Sequence, residues 1–174
     1  MLIGLTQKIR DKYKLVKLST VEIRPDEFFC YHATHFIHQR LSGLLIMNNR
    51  TRYSVVLFNI KKKEMNHLED LFKMQLRDNL MMNHVKTSLI DHYINDLENL
   101  TFVKSNNRSI LGQLKDSSYL LEGELEDIRE MTKEDLNYLN HRMNEMVMLK
   151  LDEEGYDHYP KKAMKYELEK RYKD

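Results

Sequence analysis

Tryptophan is absent from the 174 residues, cysteine occurs once, and proline and glycine contribute only 2 and 5 positions. A single thiol excludes a disulfide within the chain and excludes a four-cysteine metal site. An excess of one charge is missing too: 28 Lys and Arg face 27 Asp and Glu, for a net charge of +1. That balance excludes the one-sided electrostatics of a nucleic-acid coat or an acidic tail. No apolar run approaches the ~18 residues that a membrane helix needs. The N-terminus lacks a charged segment leading into a long apolar one, so the expected location is the cytoplasm. Familiar catalytic signatures are missing as well: no G-x-S-x-G, no phosphate-binding loop and no dinucleotide fingerprint.

What is present is a core and a β-rich centre. A hydrophobic fraction of 41% argues against disorder. The length suits one domain, burying about 70% of its unfolded surface. Residues 28–60 read FFCYHATHFIHQ, LSGLLIMNN and RTRYSVVLFNI, broken by Arg40, Ser42 and Gly43 and then by Asn48, Asn49 and Arg50. Aromatic and β-branched runs bounded by turn residues predict a three-stranded antiparallel meander. Alternation puts Tyr31, Ala33, His35 and Ile37 on one face of its first strand, with Cys30, His32, Thr34, Phe36 and His38 on the other. Leu44 to Met47 is apolar without a break, so both faces of the sheet need cover from helices, the tail or a second copy. A competing pattern exists: Phe29, Ala33, Phe36 and Ile37 also suit one face of a helix, although the aromatic content favours a strand.

The flanking segments fill in the cover. Leu2–Leu5 is a candidate edge strand, and Thr6 is placed to cap a short helix from Gln7 to Tyr13. Residues 19–27 read as a loop. Asn66 and Glu69 resemble a capping pair before a stripe of Leu68, Leu71, Phe72, Leu76 and Leu80. A helix from Thr87 or Ser88 turns Ile90, Ile94 and Leu97 inward, and Thr101–Lys104 is a short edge strand. Ser109 is placed to cap a helix carrying Ile110, Leu111, Leu114, Leu121 and Leu125. Thr132 and Asp135 open another, with Leu136, Leu139, Met143, Met146 and Val147 on one side. Residues 152–159 read as a polar turn, after which Pro160 starts a tail helix at about 160–172, expected at the periphery.

Four stretches, LIGLTQK, FFCYHATHF, LLIMNNRTRYSVVL and NRSILGQLKD, resemble a bacterial family catalogued only as a domain of unknown function. The resemblance spans roughly residues 1–125 and implies a strand over 28–39 and a bacterial cytosolic origin. Members commonly carry Trp near the start of the aromatic strand, where Phe29 or Tyr31 stands here. The family brings no activity, cofactor or catalytic residue with it.

Three groups of polar residues invite chemistry. Cys30, His32, His35 and His38 are ligand types for zinc. On a strand, however, His35 points away from the others, and His32 and His38 stand about 20 Å apart at ~3.3 Å per residue. No metal or cofactor is therefore expected. The phrase Asn48–Asn49–Arg50–Thr51 returns as Asn106–Asn107–Arg108–Ser109, in both cases a tight turn with an arginine just beyond it. Arg50, Arg52, Arg108 and Ser109 are thus the candidate anion or nucleic-acid ligands, convergent only if both turns emerge at one edge. Asp91 and His92 with Glu98, or His141 with Glu145, form acid–base pairs only on paper, and HRMNE is not the HExxH of zinc proteases.

The expectation is a single α+β domain over residues 1–174, with a mostly antiparallel sheet of about five strands and helices packed on it. No reaction is identified. The pattern favours a non-enzymatic interaction protein with an unidentified protein partner or a second copy, and no membrane. The alternative is an RNA-binding or RNA-processing factor that uses the Asn-Asn-Arg turns.

Overall fold

Alternation along the apolar run of residues 44–47 determines the architecture. Leu44 and Ile46 point to one face and Leu45 and Met47 to the other, and all four are fully buried. A sheet loaded on both sides needs two helical layers. The computed structural model, which describes residues 1–15, 18–20, 26–149, 151 and 155–172, has that three-layer form.

The strands are β1 (Leu2–Leu5), β2 (Cys30–His38), β3 (Leu41–Asn48), β4 (Ser54–Phe58) and β5 (Thr101–Lys104). The helices among the described residues are α1 (Gln7–Tyr13), α2 (Leu68–Met82), α3 (Thr87–Asp96), α4 (Arg108–Glu124), α5 (Lys133–Asn144) and α6 (Pro160–Arg171). Spatial order is β4-β3-β2-β1-β5. The meander β2-β3-β4 is antiparallel, as the turn residues require. β1, however, pairs in parallel with both β2 and β5. The fold is α+β, and the sheet is mixed rather than mostly antiparallel. Helical crossovers before β2 and β5 bring the chain back to the same end of the sheet, which makes parallel pairing the available geometry. β1 consequently lies inside the sheet instead of at its edge, and Ile3 and Leu5 are fully buried.

On one face, Ile3, Leu5, Tyr31, Ala33, Leu44, Ile46 and Val55 meet α1, α2, α3 and α6 through Ile9, Phe72, Leu76, Tyr93, Met164 and Leu168. On the other, Phe36, Leu45, Met47 and Val56 meet α4 and α5 through Ile110, Leu114, Leu121, Leu139 and Met143.

Local signals differ from expectation at several helix starts. Thr6 stands at the α1 N-cap but makes no side-chain capping bond. A short 3-10 helix at Lys62–His67 precedes α2, and there the Lys61 N–H donates to Glu64 Oε2 while the Glu64 N–H donates to the Lys61 carbonyl, so Asn66 and Glu69 do not form the cap. Glu69 instead accepts from Lys73 and from the Leu100 N–H. α4 is capped by Asn107, whose Oδ1 accepts from the Ile110 N–H, so Ser109 is not the cap. Thr132 and Asp135 form the expected capping box of α5. Residues 21–25 of the 19–27 loop and 152–154 of the 152–159 turn lie outside the described residues, although residues 27–29 form a 3-10 turn.

Candidate interaction site

The first Asn-Asn turn is a structural staple. Asn48 is fully buried, and its Oδ1 accepts from the N–H of Arg50 and Thr51 and from the Thr51 hydroxyl. Its Nδ2 donates to the Phe28 and Cys30 carbonyls. Neither asparagine takes the left-handed conformation that such turns allow. Arg52 does, at φ 59°. Arg50 Nε donates to Tyr156 OH at 2.7 Å and lies 3.1 Å from Glu167 Oε1, a carboxylate only 1% exposed. Arg52 is buried, and its Nε donates to Gln113 on α4 at 2.5 Å.

The second turn opens α4, with Arg108 and Ser109 exposed. Gln113 is five positions further along that helix, so Arg52 touches the helix that the second turn begins. Strand register separates the turns themselves. Asn48 lies opposite Tyr31, whereas β5 ends at Lys104, opposite Leu5 and level with Ala33, with β1 and β2 between.

The histidines of β2 sit apart. His32 Nδ1 meets Asn49 Oδ1 at 2.7 Å, which makes that nitrogen the donor, while Nε2 is buried without a partner. His35 is on the opposite face with its ring edge-on to Tyr13, and burial, then the Lys12 and Lys8 charges, pushes its pKa down to about 4. Burial raises the Cys30 thiol to about 11, so it is no nucleophile at neutral pH. Among the described residues no three His, Cys, Asp or Glu side chains cluster as metal ligands. Asp91 pairs with Arg77, His92 stacks on Tyr172, and His141 lies 3.3 Å from Glu145.

A groove that sequence periodicity does not announce lies between α4 and α5. It has a volume of about 550 Å³ and is lined by Tyr119, Leu120, Gly123, Glu124, Asp127, Ile128, Asp135 and Tyr138. Tyr119, Leu120 and Tyr138 are 60%, 54% and 50% exposed. α4 faces the sheet with Ile110, Leu114 and Leu121, which leaves Tyr119 and Leu120 on the outer side. The groove walls are held together by Glu124, which accepts from Tyr138 OH at 2.9 Å and from Arg142 Nε and Nη2 at 3.2 and 2.9 Å. Those bonds, Arg142 first, hold the Glu124 carboxyl below the usual range. A Cβ on Gly123 would meet nothing within 4 Å, so the groove is open there.

Its charge is predominantly acidic, with Arg142 offsetting Glu124 alone. Between Asp116 and Asp135, the acids Asp116, Glu122, Glu124, Glu126, Asp127, Glu130, Glu134 and Asp135 outnumber Arg129 and Lys133. Lys133 is itself paired with Asp78 at 2.8 Å. The signal available in the sequence was the pair Tyr119–Leu120 lying off the buried stripe within an acidic stretch of a nearly neutral chain.

Residues 2–163 match the model of a family described as a domain of unknown function (DUF6933). No curated protein and no solved structure matches the chain.

Proposed function

Because the chain belongs to that family, whose description assigns no activity, function is read from the molecule itself, and we propose that it is a non-enzymatic protein-interaction module. The α4–α5 groove takes a basic amphipathic segment of a partner protein. The observation that carries this reading is three exposed large side chains, Tyr119, Leu120 and Tyr138, gathered beside Glu124, Asp127 and Asp135. Aromatic side chains anchor interfaces, and a rim of one charge selects its opposite and speeds encounter. A lysine-rich helix with an apolar stripe satisfies both halves of the groove. The competing reading, nucleic-acid association through Arg50, Arg52, Arg108 and Ser109, has less support, since Arg50 is engaged by Glu167 and Arg52 by Gln113.

The test is anisotropy with a labelled lysine–leucine amphipathic peptide and with a single-stranded RNA oligomer. Peptide binding should weaken with added salt. Gly123→Met, which fills the groove, and Asp127→Lys, which reverses a rim charge, should each reduce it at least tenfold. Equal binding by both variants, or tighter binding of RNA than of peptide, would overturn the reading.

A further inference from the structure

A second cleft carries the opposite charge. Its volume is about 310 Å³, and it lies where the end of α2, α5 and the start of α6 meet. Asn83, His84, His141, Lys161, Lys162 and Lys165 line it together with Met82, and among the described residues no carboxylate does. Three ammonium groups, two imidazoles and an amide around one small space make a donor-rich lining that suits an anion.

Their existing partners leave room for one. Lys162 is paired with Asp157 at 2.7 Å. Lys161 and His141 share a single carboxylate, Glu145. Lys165 is exposed and makes no ion pair among the described residues. His84 is exposed and held in place by its backbone: it adopts φ 55°, its N–H donates to Met81 O, and the next N–H donates to Leu80 O. Glycine is the usual residue at such a left-handed helix end, so an imidazole is kept here at a conformational cost.

We propose that this cleft binds a small phosphoryl anion, either inorganic phosphate or the head of a phosphomonoester. Lysine ammonium groups act as point charges for phosphate oxygens, and imidazole and amide N–H groups supply directed donors. The volume admits a phosphoryl group with a few further atoms and excludes a nucleic-acid duplex, so the ligand class is small. This site is independent of the α4–α5 groove, whose lining shares no residue with it.

The experiment follows the ring resonances of His84 and His141 by NMR while inorganic phosphate or phosphoserine is added at constant ionic strength. Both rings should shift saturably with phosphate and should not shift with equivalent sodium chloride. Lys165→Glu should weaken binding at least fivefold. Glu145→Gln, which frees Lys161 and His141 from their shared carboxylate, should strengthen it severalfold. His84→Gly should weaken binding while the melting temperature holds or rises, because glycine suits the backbone there. Tighter binding of phosphoserine than of phosphate would assign a phosphomonoester; the reverse would assign the free ion. Shifts that chloride reproduces, or that Lys165→Glu and Glu145→Gln leave unchanged, would overturn the proposal.

Discussion

Asn140 and Val56 exchange two hydrogen bonds, although one sits on a helix and the other on a strand. The Val56 N–H donates to Asn140 Oδ1 at 2.8 Å, and Asn140 Nδ2 donates back to Val56 O at 3.2 Å. Asn144 repeats the exchange with Ser54, at 2.7 and 2.8 Å. β4 is the last strand of the sheet, so these are the backbone groups that an edge leaves open. Four residues of helix rise about 6 Å and two residues of strand about 6.7 Å, close enough for amides at i and i+4 to match alternate strand positions. α5 therefore serves as a surrogate sixth strand. Asn140→Leu would leave the Val56 N–H and C=O unpaired, along with the Asn79 amide that also donates to Asn140 Oδ1. Buried groups so orphaned cost ~1–3 kcal/mol each. Urea unfolding should show a loss of about 3 kcal/mol and a greater tendency to aggregate through β4. A loss below ~0.5 kcal/mol, typical of surface substitutions, would mean that water replaces the amide.

The same pair explains where reading the chain stops. Residues 28–60 announce their strands because period-2 patterns and turn residues act locally. The parallel placement of β1 does not show, since a four-residue apolar run carries no information about direction. On α5 the expected stripe included Leu136, Met146 and Val147, yet the helix buries Asn140 and Asn144 beside Leu139 and Met143. A helix against a sheet face hides apolar residues; one against a sheet edge needs amides. Hydrophobic periodicity responds only to the first case. The α4–α5 groove escapes for a related reason, because Tyr119 and Leu120 belong to no stripe and acquire meaning only when Tyr138 and Ile128 are brought opposite.

Glu167 ties α6 to the first Asn-Asn turn. It accepts from Tyr156 OH at 2.5 Å and from Arg171 Nε at 2.8 Å, with Arg50 Nε at 3.1 Å. Burial pushes its pKa up, but these bonds outweigh burial and leave it lowered. A carboxyl lowered in the fold stabilises above its unfolded pKa of about 4.3, and loses that contribution as pH falls further. Arg50→Ala removes one of three partners from a buried charge, and the half-exposed arginine moderates the cost to about 1–3 kcal/mol. Chemical denaturation at pH 7 should show that loss, and the gap from the native protein should narrow below pH 4. An unchanged gap at pH 3 would show that the pair is not what Arg50 contributes.

His35 sets an earlier acid response. Its pKa falls to about 4 because burial and then Lys12 and Lys8 oppose a charged ring. An unfolded histidine titrates near 6.5, so its neutral form favours the fold fully above pH 6.5. Between pH 6.5 and 4 the unfolded chain takes up the proton first and stability declines, by an amount on the order of 3 kcal/mol. His32, lowered mainly by burial, adds to the decline in the same direction. His35→Phe keeps the ring against Tyr13 and removes the titration, so the stability curve over that window should flatten. A variant as acid-sensitive as the native chain would assign the response elsewhere.

Gly4 and His32 face each other across the β1–β2 ladder, and the glycine makes room for the ring. A Cβ at position 4 would stand 2.7 Å from His32 Cδ2 and 2.8 Å from Nε2, inside contact distance. The ring has little freedom to retreat, because Nδ1 is held by Asn49 Oδ1 at 2.7 Å and α4 covers that face. Gly4→Ala should therefore destabilise by about 1–3 kcal/mol through overpacking, against the gain that alanine ordinarily brings by restricting the unfolded chain. His32→Ala should also destabilise, by opening a cavity and freeing Asn49. In the double variant the alanine occupies space that the ring has vacated, so the two losses should fall short of additivity by at least ~1 kcal/mol. Thermal or urea unfolding of the four proteins measures this coupling directly. Simple addition would mean that β1 shifts to accept the methyl group, and that the contact between Gly4 and His32 does not fix the register of the parallel pair.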